Sequence, residues 1–391
     1  MSATLFGGPD PRPGPEPLAE HERRLGPLPP AGADLIPALE ASGLLGRGGA
    51  AFPVGAKWRS VAERAKGAAV VLANGAEGEP LSRKDQALLW ARPHLVLDGA
   101  LLAAGATGAG RIVLYVGEAH EAAAGAVARA LAERPPRDRR RFEVVRAPAR
   151  YVAGEESAAI RFVETGVAAP RTTPPRPYER GVDGRPTLVQ NVESLAHAAL
   201  VARTGAASTL LLTVSGAVTA PGVREVAAGL TVGEAVGIAG GLSEAPRAVL
   251  LGGYFGAWLD VRDAWSLPLE AAALRQAGGA LGCGVVHVLP AAARPVAETA
   301  GVMRYLAGES AAQCGPCFFG LRSLADACAR LAAARPEASE LERLHRWSDE
   351  VRGRGACRHP DGAVGFLRSA LRTFEPEFAA ASRGGAARRV A

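Results

Sequence analysis

The first half of the chain alternates between short apolar runs and helix-period segments. The runs at 68–73, 111–116 and 141–146 have the length of buried strands. Helical patterns surround them, at 35–45, from Gly55 onward, at 82–106, at 119–133 and from Gly154 onward. Strands that alternate with helices are typical of α/β domains with a largely parallel sheet. Residues 31–205 are therefore predicted to form one such domain.

The pattern changes after residue 205. Short strands are predicted at 210–215, 223–226 and 247–251, with a turn at Ala220-Pro221-Gly222 and a short helix at 232–239. These elements predict a small β-grasp-like module, and with the linking segment that follows it occupies 206–292. From 293 to 391 the periodicity is helical, with breaks at Pro316, Pro336 and Pro360, which predicts a helical bundle. Residues 1–30 are rich in Pro and Gly and are predicted to be a mobile tail.

Composition narrows the class of protein. A length of 391 residues, 48% hydrophobic and 21% charged, is typical of a globular protein of two or three domains. The net charge is +6, and an arginine-rich stretch at 134–141 is interpreted either as a solvated loop or as a docking patch for an acidic partner. Few aromatic residues and no recognition motif argue against nucleic acid. Without a secretory signal or a long uncharged apolar run, the protein is expected to be cytoplasmic, with no direct membrane insertion.

Three of the five cysteines form one spaced pattern. Cys314 and Cys317 continue a C-x-x-C-x-x-C run whose first position is Ala311, and Cys357 follows about 40 residues later. Four such thiolates would hold a [4Fe–4S] cluster. Three thiolates leave several possibilities open: a [3Fe–4S] cluster, a [4Fe–4S] cluster with one other ligand, zinc on three cysteines and a histidine, or no metal. The candidates for a fourth ligand are solvent, Ser310, His359, Cys328 and Cys283, of which the two cysteines are expected to be structural.

A glycine-rich loop at 46–53 fits G-x-G-x-x-A through Gly46, Gly48 and Ala51. A Rossmann motif would follow a strand, but a helix is predicted before this loop, so the dinucleotide interpretation does not apply. Glycines and the helix after them still favour an anion, and Lys57 could add a positive charge. The loop is either a phosphate or cofactor site or a structural turn.

Polar residues are grouped at three further positions, of which the first two follow predicted strands. They lie in Asn74-Gly75-Ala76-Glu77-Gly78-Glu79, in Tyr151-Val152-Ala153-Gly154-Glu155-Glu156 and in the stretch 186–193 that contains Asn191. Ligands of open α/β sheets bind at the carboxyl ends of strands, and these side chains could bond a ribityl chain, a flavin edge or an amide. The alternative is a set of surface turns with carboxylates that cap helices.

Taken together, the four motifs and the cysteines occur in the order of a known family. Over about residues 35–380 the chain resembles the NADH-binding flavoprotein component of respiratory complex I (its F subunit), with relatives in bidirectional hydrogenases and NAD-linked formate dehydrogenases. The resemblance implies an α/β domain for FMN and NADH, a soluble-ligand-binding β-grasp (SLBB) module and a helical domain with one [4Fe–4S] cluster. It also implies a dehydrogenase (diaphorase) activity in which FMN converts a hydride into single electrons.

The resemblance assigns roles to residues of this chain. FMN would be bound by Gly46, Gly48, Lys57, Asn74, Glu77, Tyr151, Gly154, Glu155 and Asn191. NADH would be bound by Phe52, Glu79 and Glu156, with Glu79 as the catalytic residue. The cluster would be held by Cys314, Cys317 and Cys357.

The chain departs from the family pattern at several of these sites. Ala76 replaces an aspartate, Gln190 an asparagine, Ser60 an aromatic residue, Arg176 a phenylalanine and Ala311 a cysteine. Arginine can bind a 2′-phosphate and Glu156 would repel one, so both NADH and NADPH stay open. The departures indicate a divergent, stand-alone member of the family.

Three functions are consistent with these observations. The first is an FMN-dependent NAD(P)H dehydrogenase subunit that passes electrons to a ferredoxin-like, thioredoxin-like [2Fe–2S] or quinone-linked partner. The second is a non-catalytic paralogue that serves as a scaffold or ligand-binding subunit. The third is a flavoprotein that accepts electrons from ferredoxin and does not use nicotinamide.

Overall fold

A computed structural model describes residues 4–7 and 14–387 of the chain. These residues divide into two compact units. The first unit holds the described residues up to Gly78 together with Ser82–Leu212 and Glu225–Ala228, and the second holds Glu79–Leu81, Thr213–Arg224 and the described residues from Gly229 onward.

The first unit is an α/β domain. Its strands are β1 (Ala69–Gly75), β2 (Ala109–Gly117), β3 (Phe142–Ala147) and β4 (Thr187–Asn191). Its helices are α1 (Leu18–Leu25), α2 (Leu35–Ala41), α3 (Val54–Ala65), α4 (Lys84–Ala91), α5 (Pro93–Thr107), α6 (Glu121–Glu133), α7 (Pro136–Arg139), α8 (Glu156–Thr165) and α9 (Val192–Thr204).

The remaining elements follow in chain order. The strands are β5 (Thr209–Gly216), β6 (Gly222–Ala227), β7 (Pro246–Leu251), β8 (Ala257–Asp260) and β9 (Val285–Pro290). The helices are α10 (Val232–Ile238), α11 (Val261–Ala264), α12 (Ala271–Gln276), α13 (Pro295–Glu309), α14 (Arg322–Ala332), α15 (Glu340–Val351), α16 (His359–Thr373) and α17 (Glu375–Ala387), with a π-helix at Pro316–Leu321 before α14.

The sheet of the first unit is parallel, in the order β3-β2-β1-β4. Residues 70–73 of β1 are fully buried, as expected for a parallel strand covered on both faces. The predicted helix at 82–106 is two helices, because Pro93 begins α5 and cannot continue α4. The short strand β4 was not predicted as a strand, since its last two residues, Gln190 and Asn191, are polar.

The second sheet is mixed, in the order β6-β5-β9-β7-β8. Strand β9 lies parallel to β5 and antiparallel to β7, so it is the central strand. The prediction of a linking segment up to residue 292 is therefore wrong. The segment contains β8 and β9, which are only four and six residues long and were not recognised from the sequence. This sheet and the helices that follow it, predicted as separate domains, lie mainly in one compact unit.

The predicted mobile tail is wrong for the described part of residues 1–30. Residues 18–25 form α1, and His21 is buried beside the buried carboxylate of Asp98. The two Asp98 oxygens accept hydrogen bonds from Arg134 (2.6 Å) and Arg203 (2.5 Å), and His21 Nε2 lies 2.8 Å from Oδ2. This network, which we call the Asp98 hub, holds the N-terminal segment in place. Residues 1–3 and 8–13 lie outside the described residues.

The arginine-rich stretch at 134–141 contains both exposed and buried side chains. Arg137, Arg139 and Arg140 are exposed, as the solvated-loop interpretation predicts, whereas Arg134 is buried in the Asp98 hub.

Within the described residues, no single helix is long and apolar enough to cross a membrane. Only α4 and α5 taken together satisfy that test, across a 97° bend.

Candidate functional site

The carboxyl ends of β1 and β4 lie side by side in the first unit. Strands β1, β2 and β3 follow one another outward in the sheet, and the chain then crosses back to place β4 on the other side of β1. Asn74 and Asn191 are register partners at these two strand ends. A point where the strand order reverses is where ligands bind in open α/β sheets. Two residues of the predicted cofactor site are thus brought together at the expected place.

The glycine-rich loop approaches the same edge. It is closed by a bridge between Leu45 and Pro53 and by a 2.9 Å hydrogen bond from Gly46 N–H to the Phe52 carbonyl. A Cβ atom at Gly48 would lie only 3.2 Å from Asn191 Cβ, so a larger residue at position 48 would disturb the contact between the loop and Asn191. Helix α3 begins directly after the loop, and as predicted no strand precedes it. The N–H group of Val54, the first residue of α3, donates to the Leu44 carbonyl at 2.9 Å, and the positive end of the helix dipole still favours an anion at this point.

The turn around Tyr151 also reaches this edge. The Asn74 amide donates a 2.9 Å hydrogen bond to the Gly154 carbonyl. A Cβ at Gly78 would fall 2.9 Å from the Tyr151 carbonyl, which shows how closely the two turns approach. At Gly154, by contrast, no atom lies within 4 Å of the place of a Cβ, so the turn is open on that side. All four predicted motifs therefore meet at this edge, because two of them contain Asn74 and Asn191 and the other two contact these residues.

Several of the predicted cofactor residues cap helices. Glu77 accepts hydrogen bonds from the backbone N–H groups of Asp85 and Gln86 at the start of α4. Glu155 accepts from two N–H groups at the start of α8, and burial raises its pKa. Asn191 accepts from two N–H groups at the start of α9. The capping alternative thus describes these side chains, while their contacts with a cofactor stay predictions.

The residues predicted to bind the nucleotide are more exposed. Lys57 Nζ and Glu156 Oε2 form an ion pair of 3.1 Å in which both side chains are partly exposed. The ring of Phe52 is 54% exposed, so a planar ligand could stack on it. Arg176, which replaces the family's second aromatic residue, is also exposed. These side chains can reach a ligand from solvent.

Glu79, the predicted catalytic residue, is a buried carboxylate of the second unit. Its Oε2 accepts a 2.9 Å hydrogen bond from Tyr254 N–H, and its Oε1 accepts from Leu81 N–H at 3.2 Å. A Cβ at Gly253 would fall 2.6 Å from its carboxyl carbon. Glu79 therefore holds the turn after β7, and its catalytic role stays a prediction.

A buried ionic cluster beside Asn191 was missed from the sequence. Lys84 Nζ lies 2.6 Å from Asp85 Oδ1 and 2.9 Å from Glu193 Oε2, and all three side chains are at least 93% buried. The Asn191 amide donates a 2.7 Å hydrogen bond to Asp85 Oδ2, while Arg47 lies 3.9 Å from Glu193. The cluster links α4 and α9 to the edge at which the predicted cofactor residues meet. The only sequence signal was Lys84-Asp85 at the start of a mainly apolar helix.

Burial and the charges of neighbouring groups have opposing effects on the pKa values of this cluster. Although burial disfavours the charged form of Lys84, the two carboxylates raise its pKa above the usual range. Burial, with the carboxylates of Glu77 and Glu193, outweighs Lys84 and raises the pKa of Asp85 to about 7. Burial also opposes ionisation of Glu193, but Lys84 and His197 lower its pKa to about 2. One ammonium therefore fully compensates only one of the two carboxylates.

Gln190 provides an unused polar atom at the same edge. Its side chain is buried, and its Oε1 has no hydrogen-bond partner among the described residues. Its Nε2 lies 4.0 Å from the place of a Cβ at Gly46. A buried amide oxygen without a partner is costly, so a ligand N–H or hydroxyl group would stabilise it. This oxygen, the open glycine loop and Lys57 fit a phosphorylated cofactor such as FMN.

The three patterned cysteines lie in the second unit, where Cys314 and Cys357 are close enough to affect the pKa of Cys317. Burial, and then the thiols of Cys314 and Cys357, raise the pKa of Cys317 to about 12, while Ser310 favours its ionised form. Three thiolates at one place repel one another unless a cationic centre binds them, which fits an iron–sulfur cluster. Among the described residues, no three His, Cys, Asp or Glu side chains are arranged to hold a single metal ion.

The other candidate ligands have structural contacts. Cys328 is fully buried in α14, as expected of a core thiol, and Cys283 Sγ lies 3.3 Å from the Gly252 carbonyl. His359 is buried, with Nε2 2.8 Å from the Leu306 carbonyl. Ala311 precedes Ala312, whose φ of 51° lies in the left-handed region that favours glycine. The loop therefore turns sharply at the point where the first cysteine of the pattern is missing.

Comparison with known proteins assigns all three parts of the chain. Residues 39–200 match the Nuo51 FMN-binding domain, residues 211–253 an SLBB domain, and residues 297–381 the iron–sulfur binding region of NADH-ubiquinone oxidoreductase F. The predicted α/β layer, SLBB module and helical iron–sulfur region are thereby confirmed as family features.

The matched solved structures include an NAD⁺-reducing [NiFe]-hydrogenase in its H₂-reduced state, with 31% identity and a TM-score of 0.79. The alignment covers 89% of this chain and 62% of the hydrogenase chain, so this chain spans somewhat less than two thirds of that relative.

Two curated relatives match over nearly the full chain. The F 2 subunit of the NADH-quinone oxidoreductase of Rhizobium meliloti is 29% identical over 89% of this chain and 88% of its own length. The F subunit of the same enzyme in Mycobacterium tuberculosis is 30% identical over 90% of this chain and 85% of its own length. With matching sequence, motifs and fold, the chain belongs to the family of NADH-quinone oxidoreductase F subunits.

Proposed function

We propose that this protein is an FMN-dependent NADH dehydrogenase subunit with an iron–sulfur cluster. Bound FMN would supply the conversion of a two-electron hydride into single electrons. The residues of the chain bind and orient the cofactor, the nucleotide and the cluster. The observation that carries the proposal is the edge at which Asn74 and Asn191 meet the Gly46–Gly48 loop.

The FMN roles follow from the charges and open positions at this edge. Lys57 and the start of α3 supply positive charge for the phosphate. Gln190 Oε1 accepts a hydrogen bond from a flavin or ribityl group. Gly154 leaves room for the cofactor and Gly48 lets the loop approach Asn191, while Tyr151, Glu77 and Glu155 fix the surrounding turns.

The nucleotide roles rest on exposed groups. Phe52 offers a face for stacking, and Glu156 offers a carboxylate to the ribose hydroxyl groups. Glu156 disfavours the 2′-phosphate of NADPH, so we propose NADH as the preferred nucleotide. Glu79 is proposed to act near the reacting end of the nucleotide.

The cluster roles fall to Cys314, Cys317 and Cys357. We propose either a [3Fe–4S] cluster or a [4Fe–4S] cluster with one ligand that is not cysteine, because Ala311 offers no sulfur. The electron acceptor is proposed to be a ferredoxin-like or thioredoxin-like [2Fe–2S] protein. No disulfide joins any two of the five cysteines, which is typical of a reducing compartment such as the cytoplasm.

The test combines cofactor analysis with one pair of glycine variants. The protein is purified anaerobically, loaded with FMN, and analysed for flavin, iron and sulfide before NADH is added. Gly48→Val places a branched side chain against Asn191 and is expected to abolish flavin retention. Gly110→Val is the control, because Gly110 is exposed at the start of β2 with no atom within 4 Å of its Cβ position.

The outcomes separate the candidate functions. Flavin that is retained by the parent protein and the control, and that NADH bleaches, supports the dehydrogenase. A flavin that only reduced ferredoxin can bleach would make the protein a flavoprotein without nicotinamide chemistry. Neither flavin nor iron after reconstitution would overturn the proposal in favour of a scaffold role.

A further inference from the structure

Two adjacent aromatic rings are exposed directly after the cluster cysteines. Phe318 is 42% exposed and Phe319 69% exposed, and their rings pack edge to face with centroids 4.8 Å apart. Both belong to the π-helix Pro316–Leu321, which also carries Cys317. π-Helices are rare and occur frequently at functional sites. Large apolar side chains that stay exposed in this way mark interaction surfaces.

One arginine contacts this aromatic pair, and two more follow the helix end on which the π-helix packs. The Arg322 guanidinium lies 4.7 Å from the centre of the Phe318 ring. The π-helix packs on the end of α15, since a Cβ at Gly320 would lie 2.4 Å from the Val351 side chain. Arg352 and Arg354, which follow Val351, are exposed.

The charge of this surface is positive. Among the described residues, the guanidinium groups of Arg322, Arg352 and Arg354 form no ion pair with a carboxylate. Of the acids nearby in sequence, Asp349 pairs with Arg368, Glu350 with Arg346 and Asp361 with Arg358. Asp326, one turn along α14 from Arg322, is exposed and offsets part of the charge of the three arginines. The surface therefore combines an apolar centre with a basic rim. We call it the aromatic–arginine face, consisting of Phe318, Phe319, Arg322, Arg352 and Arg354.

We infer that the aromatic–arginine face is the docking site of a small acidic one-electron carrier. An acidic partner is the occupant that complements a basic rim, and exposed aromatic rings provide its central contacts. Cys317 lies in the same π-helix and Cys357 follows Arg354 by three residues, so the face adjoins two of the three proposed cluster ligands. The inference rests on the proposed function, since it gives the electrons of that reaction an exit.

The electron balance determines how many times a carrier must bind the aromatic–arginine face for each NADH. NADH loses two electrons when it becomes NAD⁺ and a proton. A one-electron carrier takes one electron at each encounter, so two encounters are needed for each NADH. The carrier must therefore leave as readily as it binds, which suits a small, salt-sensitive interface.

The test measures binding of two probes to the cluster-loaded protein by calorimetry. The probes are a plant-type [2Fe–2S] ferredoxin, which is acidic, and cytochrome c, which is basic. Ferredoxin is expected to bind at low salt and to bind more weakly as the salt concentration rises. Cytochrome c is expected not to bind.

Four variants locate the site. F318S/F319S removes the aromatic centre, and Arg354→Glu reverses one charge of the rim; each is expected to raise the Kd for ferredoxin about tenfold or more. Ile238→Ser is the control for the first, since Ile238 is also an exposed apolar residue of the second unit. Arg335→Glu is the control for the second, since Arg335 lies beyond the far end of α14, about 16 Å along the helix from Arg322.

The outcomes separate this inference from the proposed function. Weaker ferredoxin binding in both test variants, with unchanged controls and unchanged iron content, supports the docking site. Equal Kd values in all four variants, or binding of cytochrome c instead of ferredoxin, would overturn it. NADH-dependent reduction of a small dye is measured in parallel. If the parent protein lacks that activity, the proposed function fails; if the activity is intact and the Kd values do not change, only the docking site fails.

Discussion

Replacement of Lys84 by methionine is expected to destabilise the first unit strongly. The variant keeps a long side chain but removes the ammonium that lies 2.6 Å from Asp85 and 2.9 Å from Glu193. Glu193 would then be left with Arg47, 3.9 Å away, as its nearest arginine partner. A cluster that is nearly inaccessible to water has no solvent to replace the lost cation.

The magnitude follows from the cost of an unpaired buried charge. Removal of one partner from a buried ion pair typically costs about 3–5 kcal/mol. The free energy of unfolding of a whole domain is only about 5–15 kcal/mol, so the variant would lose a large part of the stability of the first unit. With a urea dependence of about 2–3 kcal/mol per M, the unfolding midpoint should fall by about 1–2 M.

The assay must report the first unit alone, because two units need not unfold together. Hydrogen exchange of peptides from β1 and β4, measured across a urea series, satisfies this requirement. Arg59→Met is the matched control, since it removes a cation from an exposed ion pair with Glu40 and should change the midpoint little.

A double variant tests the cause of the loss. In K84M/E193Q the second buried charge is also removed, and the glutamine oxygen can still accept the hydrogen bond from Leu211 N–H. The double variant should be more stable than K84M. The reasoning is refuted if K84M loses no more stability than Arg59→Met, or if Glu193→Gln does not restore part of the loss.

Three further predictions concern the proton on Asp85, the missing thiol at Ala311 and the Asp98 hub. The folded protein holds a proton on Asp85 up to about pH 7, whereas the unfolded chain releases it near its ordinary pKa of 3.8. The free energy of unfolding should therefore fall between pH 5 and 7, by up to about 1.4 kcal/mol per pH unit, and Asp85→Asn should remove that slope in urea titrations. Equal slopes would contradict this. Ala311→Cys should raise the iron content towards four per protein and remove any [3Fe–4S] EPR signal; unchanged iron would show that the missing thiol does not limit the cluster. Asp98→Ala should speed hydrogen exchange in α1 by removing the carboxylate that contacts His21 of that helix, and unchanged exchange would mean that other contacts hold the segment.

The positions of the main site residues could be predicted from the sequence because they depend on local rules. Parallel strands end at one edge of a sheet, so polar residues after each strand must come close together. Asn74 obeys this rule at the end of the predicted strand β1, whereas Asn191 ends β4, which was not predicted as a strand, so its role came only from the family resemblance. The cysteine spacing placed all three side chains in the second unit, and their role as cluster ligands stays a prediction.

The buried charges could not be predicted because their partners are distant in sequence. Lys84 appeared as one polar residue at a helix start, and its contact with Glu193 depends on how α4 and α9 pack. Glu16 and His21 lie among prolines and charged residues, which is the composition of a mobile tail. Contacts with the rest of the first unit, such as His21 with Asp98 and the Glu16 N–H with the Ala91 carbonyl, explain why the segment is ordered.

The exposure of the aromatic pair Phe318 and Phe319 also could not be predicted from the sequence. Two adjacent phenylalanines in a helical region would ordinarily be assigned to the core. The π-helix instead leaves both rings exposed while Cys317 and Leu321 are buried. No periodicity in the sequence signals that change of helix type.

The Asp98 hub also sets an order of events during synthesis. His21 precedes Asp98 by 77 residues, and Arg203 follows Asp98 by a further 105. At about 5–20 residues per second, Arg203 leaves the ribosome roughly 10–35 s after His21. During that time the N-terminal segment is present without its full set of partners. Eight residues are too few to form a stable helix without tertiary contacts, so the nascent chain carries an unfolded N-terminal segment for many seconds, and this is when a chaperone could bind it.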